Sequence, residues 1–126
     1  MSAAGTTRVV VTGGAGFIGA NLCRALTDAG VDEVIAFDDL STGSKANLAG
    51  TGATLVEASI LDPAALADAL AGATSVVHLA ARPSVPRSIA DPVASHDANA
   101  TGTVNVLEAA RATGVGHVVV ASSSSV

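Results

Sequence analysis

The 126 residues hold no tyrosine, no tryptophan and only two phenylalanines, Phe17 and Phe37, so any core has to be assembled from Val, Leu, Ile and Ala. A single cysteine, Cys23, excludes an internal disulfide and sets the cytoplasm as the default compartment. Basic residues are scarce: six Lys and Arg face eleven Asp and Glu, giving a net charge of -5. With no basic stripe, nucleic acid is not expected as the main partner. The longest apolar runs are strand-sized, so no membrane span is expected. Met1 to Thr7 is polar, lacks an apolar h-region and reads as a frayed tail rather than a signal peptide. His78, His96 and His117 have no metal-ligand spacing, and no metal is expected. The length allows one domain with a real core and is too short for two.

What is present is organised around Arg8-Val9-Val10-Val11-Thr12-Gly13-Gly14-Ala15-Gly16-Phe17-Ile18-Gly19. The unbroken β-branched run predicts a strand buried on both faces, as in a parallel sheet covered by helices. Gly13, Gly16 and Gly19 then lie three apart, and the stretch from Gly14 to Gly19 spells G-x-G-x-x-G. In a dinucleotide-binding turn one such glycine makes the bend, one lets the backbone approach a pyrophosphate and one lets helix and strand pack closely. The amides near Phe17 and Ile18 would be donors at the positive end of the helix. Asp38 closes a second strand, Glu33-Val34-Ile35-Ala36-Phe37-Asp38, at the distance where such a fingerprint needs a carboxylate for the ribose hydroxyls. A carboxylate there repels a 2′-phosphate and favours NAD over NADP.

Further along, Ile18, Leu22 and Leu26 predict an amphipathic helix ended by Gly30, with Cys23 as a small core residue. A polar loop, Asp39 to Ser44, leads to a helical turn at Lys45 to Leu48 and a short strand at Thr54 to Glu57. Asp62-Pro63 supplies an N-cap and a proline at the first helical position, with Leu66, Ala69 and Leu70 as the apolar stripe. Ser75 to Leu79 predicts a fourth strand passing into Ala80-Ala81, small residues suited to a chain lying against a flat ligand. His78, inside that apolar strand, is read as a hydrogen-bonded structural histidine. Pro83 to Pro86 forms a rigid loop carrying Ser84, Val85 and Arg87, the last either a surface arginine or a contact for a phosphorylated substrate. Asp91-Pro92 caps a long helix to about Thr113, with Val104 and Leu107 on its buried side and Asn99 inside it, expected to make a tertiary hydrogen bond. His117 to Ala121 is the fifth strand and delivers Ser122-Ser123-Ser124-Ser125 at its carboxyl end. Strands alternating with helices predict a doubly wound Rossmann-type α/β sheet ordered 3-2-1-4-5. Ligands of such sheets bind beyond the carboxyl ends of the strands, at the switch point between strands 1 and 4.

With these residues in place the chain resembles the extended short-chain dehydrogenase/reductase family, and within it the UDP-glucose 4-epimerase-like sugar-nucleotide epimerases and dehydratases. The matching stretches are Val11 to Gly19, Phe37 to Gly43, Val77-His78-Leu79-Ala80-Ala81, Asn99-Ala100-Thr101-Gly102-Thr103 and Ala121 to Val126. The resemblance implies NAD held at Gly13, Gly16, Phe17, Ile18 and Gly19, with its ribose at Asp38 and further contacts from Asp39, Ser41, Thr42 and Gly43. It places the adenine near Ser59 and Ile60, Leu79, Ala80 and Ala81 beside the cofactor, and Asn99 as a buried amide supporting the active-site strands. Ser59 departs from the Asp usual there. By the same resemblance Ser123 is the catalytic hydroxyl and Ser124 its substrate-contacting neighbour, with Ser84, Val85 and Arg87 on the substrate side. Ser124 and Ser125 stand where the 4,6-dehydratases carry Asp-Glu, which argues for 4-epimerisation through a transient 4-keto sugar. The family's Tyr-x-x-x-Lys pair and C-terminal substrate-binding part are expected beyond residue 126, so residues 1–126 are read as an incomplete NAD-binding domain, inactive alone. The implied partners are a nucleoside-diphosphate sugar and a second copy of the chain. A dinucleotide-binding module without catalysis, or another reaction of the same family, is the alternative.

Overall fold

Val9, Val10 and Val11 run through the centre of the sheet, apolar and buried on both faces. The computed structural model describes residues 6–80, 93 and 97–121. In it β1 (Arg8–Thr12) lies between β2 (Glu33–Asp38) and β4 (Ser75–His78), with β3 (Thr54–Glu57) outside β2 and β5 (His117–Val120) outside β4. All four pairings are parallel, which gives the expected order 3-2-1-4-5. Thr12 pairs with Phe37 on one side and His78 on the other, so the ends of β1, β2 and β4 arrive at one edge together.

Side chains alternate across β1 as a pleat requires. Val9 and Val11 face α1 (Phe17–Asp28), packing with Val34, Ala36 and the buried Cys23. Val10 points the other way, joining Ile35, Phe37 and Val76 beneath α2 (Pro63–Leu70) and α3 (Gly102–Thr113). Phe37, Leu66 and Leu70 are fully buried there, each contributing about 2 kcal/mol of apolar burial. The start of α2 is set as its sequence indicates: Asp62 accepts from the amides of Ala64 at 3.1 Å and Ala65 at 3.2 Å, and Pro63 opens the helix. Burial pushes the Cys23 thiol up to about 11, leaving it an inert core residue.

Four expectations are corrected. Thr7 is not frayed: its amide donates to the Asp32 carboxylate at 2.8 Å, and its hydroxyl accepts from the Asp32 amide at 3.1 Å. In α1 Ile18 is exposed, whereas Leu22 and Leu26 pack against the core as expected, beside the buried Gly19, Ala20 and Cys23. Gly19 and Ala20 take the place of Ile18 where the start of the helix meets the glycine turn. In α3 Val104 and Leu107 are exposed, and Val106, Ala109 and Ala110 form the buried stripe. The helix carries two apolar faces, and the alanine face wins because Leu66 and Leu70 of α2 already supply the bulk between them. Finally, α3 is preceded by a π-helical turn, Asp97–Thr101, not by regular helix. Val93 apart, residues 91–96 lie outside the described ones. No described helix is long and apolar enough to cross a membrane.

Candidate dinucleotide-binding site

The glycines of the turn divide by what a side chain would meet. At Gly13, with φ of +72°, a Cβ would lie 2.9 Å from the Ala80 nitrogen; at Gly14, 2.7 Å from the Ala36 Cβ; at Gly19, 2.2 Å from the Gly13 oxygen. All three are demanded by the protein's own packing. Gly16 is different. Its φ of -76° suits any residue, and a Cβ there would meet only the Gly13 oxygen, at an ordinary 3.4 Å. The space in front of Gly16 is thus open, and α1 begins directly behind it. No side chain caps this helix and no acidic residue sits in its first turn. Its leading amides, with Phe17 and Ile18 exposed beside them, are donors at a positive helix end.

The turn's carbonyls point inward. Gly13 O accepts from the Gly16 amide at 3.1 Å, Gly16 O from the Ala20 amide at 2.9 Å, and Gly14 O faces the Cys23 Sγ at 4.0 Å. Ala15 O accepts twice, from the Ser44 amide at 3.1 Å and from Asn47 Nδ2 at 2.8 Å. The loop after β2 is therefore strapped onto the turn, so tightly that a Cβ on Gly43 would come within 2.7 Å of the Ala15 carbonyl carbon. Asp39, Ser41 and Thr42 are exposed on that loop, with Asp39 Oδ1 accepting from the Ser41 amide at 2.9 Å.

Asp38 is 8% exposed at the end of β2. Its Oδ2 accepts from the Ala15 amide at 2.9 Å and its Oδ1 from the Leu40 amide at 2.7 Å. An ionised carboxylate has about four acceptor sites, so about two remain for hydroxyl donors. Leu40 is held in the left-handed region, with φ of 63°, a strain its bond to Asp38 offsets.

On the other side of β1 a buried polar chain crosses the sheet. Thr12 Oγ1 lies 2.6 Å from His78 Nδ1, and His78 Nε2 lies 2.9 Å from Thr103 Oγ1, which donates to the Asn99 carbonyl at 2.7 Å. The amides of Leu79 and Ala80 both donate to Thr12 Oγ1, at 3.1 and 3.2 Å. Burial lowers the His78 pKa, and the ring is the hydrogen-bonded structural histidine that the sequence indicates.

Gly13, Gly16, Phe17, Ile18, Gly19, Asp38, Gly43, Leu79 and Ala80 thus gather at one sheet edge. Ser59 follows β3 on the same side, its Oγ accepting from the Leu61 amide at 3.0 Å. Ile60 does not offer its side chain to that edge: it is buried in the core with Phe37. Asn99 is exposed in the π turn rather than buried as expected. Ala81, Ser84, Val85, Arg87, Ser123 and Ser124 lie outside the described residues. Thr12, Asn47 and Thr103 are the site's supports that the sequence reading passed over; a hydroxyl ending an otherwise apolar buried strand was the available signal for Thr12. Among the described residues no three His, Cys, Asp or Glu side chains are placed to hold a metal ion.

An open cradle at Gly16, uncapped amides behind it and a part-satisfied carboxylate one strand over define a Rossmann-type dinucleotide site, and the residues present fit that group. The chain belongs to the NAD dependent epimerase/dehydratase family, whose model matches residues 9–126. It is 40% identical over 108 residues to a dTDP-glucose 4,6-dehydratase of Mycolicibacterium smegmatis, covering 82% of this chain and 33% of that protein. It is 33% identical over 126 residues to a UDP-glucose 4-epimerase of Erwinia amylovora, covering 94% of this chain and 37% of that protein. A crystal structure of UDP-glucose-4-epimerase from Stenotrophomonas maltophila with bound NAD and formylated UDP-arabinopyranose superposes with a TM-score of 0.88 at 32% identity, covering 95% of this chain and 38% of that one. The chain therefore spans between 33% and 38% of the length of these relatives.

Proposed function

We propose that this chain is the NAD-holding part of a 4-epimerase acting on a nucleoside-diphosphate sugar of the UDP-glucose type. The observation that carries the cofactor reading is Gly16, a glycine that no contact within the protein requires, facing open space at the uncapped start of α1. The amides of Phe17 and Ile18 hold the pyrophosphate, Asp38 takes the ribose hydroxyls, and Asp39, Ser41, Thr42 and Gly43 border the adenosine with Ser59. Leu79, Ala80 and Ala81 line the path toward the nicotinamide. NAD supplies reversible hydride acceptance at the sugar C4. The chain's own part in the chemistry is to orient and to hydrogen-bond: Ser123 donates to the 4-oxygen of the sugar, and Ser124 positions the ring. Ser84, Val85 and Arg87 contact the sugar nucleotide, Asn99 contributes its backbone carbonyl to Thr103, and the proton is taken by a Tyr-x-x-x-Lys pair further along the full-length protein. The protein works in the cytoplasm, in keeping with its single cysteine, and as a homodimer, for which the exposed Val104 and Leu107 on α3 offer an apolar face.

Gly16→Ala in the full-length protein tests the cofactor reading. The fold should keep its stability within about 0.5 kcal/mol, while NAD affinity, measured by calorimetry, drops at least about tenfold. Unchanged NAD binding would overturn it. Dehydration is the second reading, favoured by the 40% identity to a 4,6-dehydratase. Proton NMR of sugar nucleotides incubated with the full-length protein separates the two: inversion at C4 supports epimerisation, and a 4-keto-6-deoxy product replaces it with dehydration.

A further inference from the structure

His78 takes no part in the site just described, yet it is buried and bonded at both ring nitrogens. Counting donors fixes how. A threonine hydroxyl has one proton and two lone pairs. The single Thr103 proton goes to the Asn99 carbonyl, so the Thr103 oxygen, 2.9 Å from His78 Nε2, has to accept there and the ring proton resides on Nε2. Nδ1 is then bare and takes the Thr12 proton, 2.6 Å away, while the Thr12 hydroxyl oxygen accepts from the Ala80 amide and shares the Leu79 amide with the Thr12 backbone carbonyl. Every donor has an acceptor in this direction only. A neutral ring with its proton on Nδ1 would leave Nε2 bare, and the one Thr103 proton would then have to serve both that nitrogen and the Asn99 carbonyl.

The amides held in this way belong to residues that touch the glycine turn, since Ala80 is the backbone against which Gly13 is packed. We propose that His78, as the neutral ring protonated at Nε2, is a positioning residue for the dinucleotide: by accepting the Thr12 proton it fixes the Leu79–Ala80 backbone against the glycine turn, and by donating to Thr103 it ties that backbone to the π turn before α3. This rests on the NAD reading above. Nothing in it requires the ring to exchange a proton with substrate.

The test has one arm without ligand and one with NAD, both on the full-length protein. Without ligand, ¹⁵N spectra of the imidazole should show protonation at Nε2 and a bare Nδ1, and His78→Phe should speed hydrogen exchange at the Ala80 amide by about tenfold or more, with Leu79, which the Thr12 backbone carbonyl also holds, as the internal reference. With NAD, His78→Phe and Thr12→Val should each weaken binding about tenfold. The double variant should be no worse than either alone, because both remove one link. His78→Asn, whose side-chain oxygen can take the Thr12 proton, should recover most of the affinity. A ring protonated on Nδ1, additive effects of the two substitutions, or unaltered NAD affinity in His78→Phe would each overturn the proposal. If the wild-type protein binds no NAD, the cofactor reading falls and the role toward the dinucleotide falls with it. The ring spectrum and amide exchange then still report whether the relay itself exists.

Discussion

On its β2 side, the end of β1 is braced by a carboxylate that takes backbone amides directly; on its β4 side, by an uncharged chain of hydroxyl, imidazole and hydroxyl. Asp38 reaches Ala15 and Leu40 through one side chain, whereas Thr12, His78 and Thr103 have to cooperate. The first brace is strong bond by bond, since charge-assisted bonds are roughly twice as strong as neutral ones. The second depends on each proton lying in the right place. One sheet edge is thus held by strength on one side and by order on the other.

The comparison can be broken most severely at the turn the two braces share. Gly19→Ala drives a methyl into the Gly13 carbonyl and should cost about 4 kcal/mol in urea unfolding; a loss under about 1 kcal/mol would mean that the helix is not seated as described. Asp38→Ala, which leaves the buried Ala15 amide and the part-buried Leu40 amide without their charged acceptor, should cost about 3 kcal/mol. Thr12→Val should cost about 2 kcal/mol, and a reversed ranking would show that the neutral side is the stronger. The two sides should also separate by pH. Burial lowers the His78 pKa from its ordinary 6.5, so its contribution to stability is complete above pH 6.5 and is lost as the pH falls through the folded value. Unfolding free energies measured down that range should decline in the wild type more steeply than in His78→Phe; equal slopes would remove His78 from the account. The smallest effect is expected at Leu40. Leu40→Asn, better suited to φ of 63°, should raise stability by about 1 kcal/mol.

The carboxylate side was legible in the sequence; of the imidazole side only His78 was, as a hydrogen-bonded structural histidine, and its partners were not. Asp38 ends a strand at a fixed distance from the glycines, and the Asp62-Pro63 cap and the strand run Val9 to Val11 declare themselves within a few residues. Local spacing is enough for such features. The relay joins residues 12, 78 and 103, brought together only by the parallel pairing of β1 with β4 and by the packing of α3, so no window of sequence contains it. The buried face of α3 was misjudged for a related reason. Val104 and Leu107 are as apolar as a core stripe, and only the bulk of Leu66 and Leu70 across the interface selects the alanines instead.

The inward carbonyls of the glycine turn have one more consequence. The Gly13, Ala15 and Gly16 oxygens are each engaged by a nitrogen donor of the protein and that of Gly14 is turned to a thiol, while the Gly13, Ala15 and Gly16 amides are spent on Phe37 O, Asp38 and Gly13 O, so the donors left for a visitor are those that open α1. Carbonyls drawn inward and amides turned outward at a positive helix end favour an anion over a cation, so the backbone begins the discrimination before any side chain is consulted.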